Sequence, residues 1–175
     1  MKPHTPSDLY SAEAMFSMTD TATDVSGDTL CRTLVEFLED RYRGLILLRV
    51  TGSAGGRYSI RPRAVAACIC HLIEACIEAC PLTVHIGATT DTMRLCIEPS
   101  TPIHPAPHTV RRLRMHALQA NVELLTEPTS IRVDFPAYPA TFALRHPTED
   151  VKEQLLDCLH RAADACAAEK QDTRQ

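Results

Sequence analysis

The sequence has nothing approaching the roughly eighteen consecutive apolar residues that a membrane-spanning helix requires. Its first residues, Met-Lys-Pro-His-Thr-Pro-Ser-Asp, lack the apolar core of a secretory signal, so the chain reads as cytosolic with no membrane partner. An excess of positive charge is also missing. The 18 Lys and Arg stand against 22 Asp and Glu, a formal net charge of −4, which gives nucleic-acid binding no electrostatic footing. No Gly-x-Ser-x-Gly elbow and no Cys/His nucleophile motif occurs, so hydrolase chemistry has no support. The glycines of 51–56 lack both a Gly-Lys-Ser/Thr and a strand–loop–helix order. That segment therefore reads as a turn rather than a phosphate loop.

What the sequence does have is a long apolar helix pattern over Arg63–Cys80. Val65, Cys68, Ile69, Leu72, Ile73, Cys76, Ile77 and Cys80 recur every three or four residues, Ala is plentiful, and Pro81 ends the run. Among the 8 cysteines, Cys68, Cys76 and Cys80 lie on this stripe, where a free thiol acts as a small hydrophobe. Their placement predicts buried, reduced, metal-free residues rather than a disulfide scaffold. A zinc site would have to use Cys68 and His71 with Cys76 or Cys80, and these lack the tight loop of a zinc knuckle.

Around this helix the pattern predicts a single domain. Residues 1–27 read as a mobile polar tail. Asp28 or Thr29 caps a helix to about Arg43, with Leu30, Leu34, Phe37 and Leu38 inward and Gly44 as its stop. Leu45–Val50, apolar and too short for a helix, reads as a buried strand, and Tyr58–Pro62 as a bridge into the central helix. Leu82–Ile86 and Met93–Glu98 alternate as a hairpin. Four prolines in Pro99–His108 make a stiff extended loop, after which Thr109 caps a helix to about Ala120. Val122–Leu125 and Ser130–Phe135 form a second hairpin. A final helix over 149–168 carries the stripe Val151, Leu155, Leu159, Ala162 and Cys166. That stripe is too apolar to leave in water, and its expected seat is this domain or a second copy of it.

The order helix, strand, long helix, hairpin, loop, helix, hairpin over about Leu30–Pro136 resembles the ATP-binding domain of histidine kinases, the Bergerat or GHKL fold. Leu72-Ile-Glu-Ala-Cys-Ile-Glu78 stands where that family has its Asn-bearing helix, and Arg132-Val-Asp-Phe-Pro136 where it has the end of its closing hairpin. The resemblance implies an α+β two-layer sandwich, with a mixed, mostly antiparallel sheet, helices on one face and an extra C-terminal helix. It divides the chain into an ATPase-like domain over 28–146, an amphipathic helix over 147–168 and a polar tail over 169–175. It also implies which residues should bind nucleotide, and these are replaced. Ala75 falls at the magnesium-binding Asn, and Glu98, Pro99 and Ser100 stand in place of the Asp-x-Gly-x-Gly box. The short Pro/His loop replaces a Gly-rich lid, and the helix Asp28–Arg43 has no phosphoacceptor His.

The remaining candidates weigh little in sequence. His104 and His108 have no carboxylate or Cys beside them, and His71 and His85 suit a polar face. Arg111, Arg112 and Arg114 suit a solvated helix face, as do Glu74 and Glu78 one turn apart. The reading is a non-catalytic ATPase-fold protein that binds a protein partner or itself, in bacterial signalling by analogy, with no resident cofactor or metal. Val151, Leu155 and Leu159 are its candidate contact residues. The alternatives are a kinase-like domain binding ATP and magnesium with atypical residues, and a thiol or metal sensor.

Overall fold

The computed structural model describes residues 22–52, 56–89, 91–136 and 148–173. Strand β1 (Thr23–Ser26) leads into helix α1 (Gly27–Arg41). Strands β2 (Ile46–Thr51) and β3 (Arg57–Ile60) precede helix α2 (Pro62–Cys76) and a single 3-10 turn, Ile77–Ala79. Then come strands β4 (Leu82–Ala88) and β5 (Thr92–Glu98), helix α3 (Pro107–Ala120), strands β6 (Glu123–Glu127) and β7 (Ser130–Pro136), and helix α4 (Thr148–Thr173). Residues 1–21 of the expected tail, and residues 137–147, lie outside the described residues.

The main sheet has five strands in the order β2-β4-β5-β7-β6, with β2 parallel to β4 and every other pair antiparallel. Its alternation decides which face is covered. Leu82, Val84, Ile86, Met93, Leu95, Ile97, Ile131, Val133 and Phe135 are all buried, while Arg94, Cys96, Glu98, Arg132 and Asp134 point the other way. The buried face joins the stripe of α2 in one core, so the architecture is the expected mixed sheet with helices on one face. The other face stays polar, tied together by Arg94–Asp134 at 2.8 Å and His85–Glu98 at 3.2 Å.

Helix α2 is enclosed on more than its sheet side. Val65, Ile69, Leu72 and Cys76 lie on its stripe, and Ala66 and Cys70, on another side, are buried too. The Cys70 thiol donates to the Leu159 carbonyl of α4 at 3.5 Å. Helix α4 packs along α2 and α1, with Val151 at 3% exposure and Leu155 and Leu159 at 0%. The C-terminal stripe therefore has its seat inside the domain. Its inward alanine is Ala163, with Ala162 only partly buried, and the helix runs on to Thr173, so 169–173 are helical rather than a polar tail. Burying Val151, Leu155 and Leu159 contributes roughly 5 kcal/mol before ordering costs.

Several local expectations are corrected. The domain begins before residue 28: β1 pairs with β3 as a separate two-stranded ribbon, so Tyr58–Ile60 is a strand rather than a bridge. Helix α1 is capped by Ser26, two residues before Asp28, its Oγ accepting from the Thr29 N–H at 3.2 Å. Gly44, at φ +81°, sits in the left-handed region just past Tyr42. Helix α2 gives way to the 3-10 turn before Pro81, whose ring crowds an α-helical carbonyl at residue 77. Cys80, beyond that turn, is exposed, unlike buried Cys68 and Cys76. Helix α3 starts at Pro107, a residue well suited to a first turn, rather than at Thr109. Strand β2 is not a buried strand. It is the sheet's edge, with Leu47 at 55% and Val50 at 49% exposure.

Candidate functional site

The helices α2, α3 and α4 meet at a cleft of about 360 Å³. Helix α2 supplies His71, Glu74 and Ala75, because residues three and four apart share a face, and the 3-10 turn after it supplies Glu78. The loop and first turns of α3 supply Pro105, His108, Thr109 and Arg112, and the last turns of α4 supply Cys166, Glu169, Lys170 and Thr173. The expected nucleotide position Ala75 is therefore in the cleft.

The other replaced positions are not part of it. Glu98 points to the opposite, polar sheet face, where it meets His85. Ser100 bonds the Pro81 carbonyl through its hydroxyl, and its N–H donates to the Ala79 carbonyl at 2.9 Å. These two bonds fasten the Pro-rich loop to the end of α2. Of the two loop histidines, His108 lines the cleft and His104 is exposed outside it.

Polar groups within the cleft are joined to one another across the three helices. Lys170 of α4 pairs with Glu74 of α2. Arg112 of α3 grips the Glu169 carboxylate of α4 through one nitrogen, at 2.9 Å and 2.8 Å to its two oxygens. Glu74 and Arg112 are thus cross-links and not simply members of a solvated face, although Arg112 is exposed like Arg111 and Arg114. Such partly exposed pairs are worth about 0.2–1 kcal/mol each, so they register α4 rather than hold it.

Beneath these pairs His71 and His116 stack with ring centroids 4.3 Å apart. Both ring nitrogens of His116 are closed off from solvent without a hydrogen-bond partner. Burial lowers the pKa of each imidazole, and the nearby Arg112 guanidinium lowers both further. Two neutral rings stack here without repulsion. His71 is accordingly a packed residue and not a free polar one.

The Cys166 thiol lies 3.8 Å from His71 Nδ1, the one Cys–His approach with a nucleophile's ingredients among the contacts described. Its electrostatics oppose that role. Burial, followed by Glu74 and Glu169, raises the Cys166 pKa to about 11, while His71 is held neutral. A thiolate–imidazolium pair needs the reverse of both shifts. Burial likewise pushes Cys68 and Cys76 up to about 12. Among the described residues no group of three or more His, Cys, Asp or Glu could hold a metal ion.

The fit of ATP with magnesium can be tested on these residues. Ala75 offers no oxygen to a metal, Glu98 is on the wrong face for a base contact, and Arg112 and Lys170 are paired with acids of this chain. Sequence reasoning missed Cys166, Glu169 and Lys170 as cleft residues, because α4 arrives there from the far end of the chain and carries no motif that announces it.

No family model and no curated protein matches the sequence. Solved structures similar to it include the cytoplasmic segment of histidine kinase QseC, at 13% identity and TM-score 0.46, over 79% of this chain and 99% of that one. Histidine kinase AdeS of Acinetobacter baumannii is similar at 10% identity and TM-score 0.46, over 76% and 77% of the two chains. The blue-light-activated histidine kinase EL346 of Erythrobacter litoralis gives 16% and 0.44, over 74% and 52%. These are likenesses of fold at TM-scores below 0.5, and they say nothing of activity. Among the described residues no helix is long and apolar enough to cross a membrane.

Proposed function

We infer that the chain is a non-catalytic module on an ATPase-like sandwich, working by binding another protein rather than by turning over a nucleotide. The observation that carries this reading is the internal pairing of the cleft. Its charged walls answer one another through Glu74–Lys170 and Arg112–Glu169, and Ala75 sits where the family resemblance calls for a metal ligand. A nucleotide would have to displace Glu169 from Arg112, a partly exposed pair worth about 0.2–1 kcal/mol, and its phosphates would meet the like charges of Glu74 and Glu78. A component of bacterial signalling is the partner class the resemblance suggests, as an analogy of fold.

Calorimetric titration of the full chain with ATP and magnesium tests the reading. The expected result is a dissociation constant weaker than about 1 mM. A micromolar constant, lost on Arg112→Ala, would establish the ATP-binding alternative instead.

A further inference from the structure

A second, open groove lies between α1 and the sheet edge β2. It measures about 1010 Å³. Its floor is apolar, made by Val35, Leu38 and Tyr42 of α1 and by Ile46, Leu48 and Val50 of β2. Strand β2 is hydrogen-bonded only to β4, so its outer edge carries no strand among the described residues. Leu45, Leu47 and Val50, at 39%, 55% and 49% exposure, make this edge unusually apolar for one facing water. Above the floor, α1 presents Asp28, Glu36, Glu39 and Asp40, against Arg32 and Arg43. Asp28 is matched by Arg32 one turn on, and Glu36 by Lys152 of α4 at 2.7 Å. Asp40 stands 3.6 Å from His160.

We propose that this edge takes up an extended segment of a partner protein, rich in β-branched residues and in Lys or Arg, as an added strand beside β2. Backbone hydrogen bonds along β2 would bind it irrespective of sequence, and alternate side chains would drop into the groove onto Leu48 and Val50. Basic side chains on that same face reach the acids of α1. Charge also selects this occupant over a second copy of the chain. Two β2 edges pairing antiparallel about a two-fold axis would bring both α1 helices to the same side of the seam, and with them Glu39 and Asp40 of each copy, the acids left without a Lys or Arg partner among the described residues. The proposal rests on the protein-binding reading and names the kind of partner it would have.

The test is selection of random peptides displayed on phage against the full chain, followed by calorimetry on the synthetic peptides selected. Enrichment in β-branched and basic residues and depletion of acids is expected. Val50→Lys and the pair Glu39→Lys with Asp40→Lys should each weaken binding by about tenfold or more. All three positions are exposed, and an unchanged circular dichroism spectrum shows that each variant still folds. Failure to select peptides, selection of acidic ones, or equal binding by Val50→Lys overturns the proposal. So does a dimer in light scattering that Val50→Lys dissolves, because the occupant is then a second copy. None of these results touches the nucleotide titration. A failed selection with no ATP binding removes this surface alone, whereas micromolar ATP binding removes the reading beneath it.

Discussion

The cleft at α2–α3–α4 and the groove at α1–β2 lie in one small domain, and they differ in how their exposed chemistry is answered. In the cleft, α4 supplies the opposite charge for Glu74 and Arg112 and a cover for the His71–His116 stack. In the groove, an apolar floor and an unpaired strand edge face outward with no element of the described chain over them. The difference teaches that concavity alone does not mark a binding site. A cleft whose polar groups already have partners within the chain has little differential affinity to offer a ligand. A strand edge keeps its donors and acceptors for whatever arrives.

Breaking the closed side should have the largest effect. Leu159 is fully buried between α4 and α2, and Leu159→Ala removes its packing without giving the cavity a way to collapse. We expect a loss of about 2–5 kcal/mol in chemical denaturation. A loss under about 0.5 kcal/mol would mean that α4 is not part of the cooperative unit.

Acid should act on the same side. The folded chain holds His71 and His116 below their ordinary value of 6.5, so it favours the neutral rings more than the unfolded chain does. Their contribution is fully present above pH 6.5 and declines as pH falls from there towards their lowered values. Melting temperature should therefore drop on acidification below that point, and His116→Phe should flatten the drop. An equal slope in that variant would place the pH sensitivity elsewhere.

A smaller effect is expected from the ion pairs. Lys170→Ala or Glu169→Ala should cost about 0.2–1 kcal/mol each, since their partners remain partly hydrated. On the open side, Val50→Lys should change stability by no more than about 0.5 kcal/mol while altering peptide binding. Thiol labelling sharpens the contrast without mutation. Exposed Cys80 should react readily at pH 8, while Cys68 and Cys76, buried and raised to about 12, should react only as the chain unfolds.

The fold was legible in the sequence wherever one element's own periodicity decided its placement. The stripe of α2 from Val65 to Cys76, the alternation of Met93, Leu95 and Ile97, and the inward face of α4 at Leu155 and Leu159 all follow from side-chain spacing. What depends on distant neighbours was not legible. The apolar run Leu45–Val50 has the composition of a buried strand, and only the absence of a strand beyond β2 among the described residues makes it an edge. The short ribbon of β1 and β3 has one buried residue in the first and two in the second, too few for a period to register. The replaced positions Ala75 and Glu98 could be named from the resemblance. That Glu98 turns to the far face, and that Lys170 answers Glu74, required the packing itself.

Amide hydrogen exchange of the full chain, with and without millimolar ATP and magnesium, tests the closed cleft most directly because it reads the site element by element. The account predicts unchanged exchange across Glu74–Glu78, Pro105–Leu113 and Cys166–Thr173, since Glu74, Arg112, Glu169 and Lys170 are already paired within the chain. New protection in all three segments on adding nucleotide would contradict it.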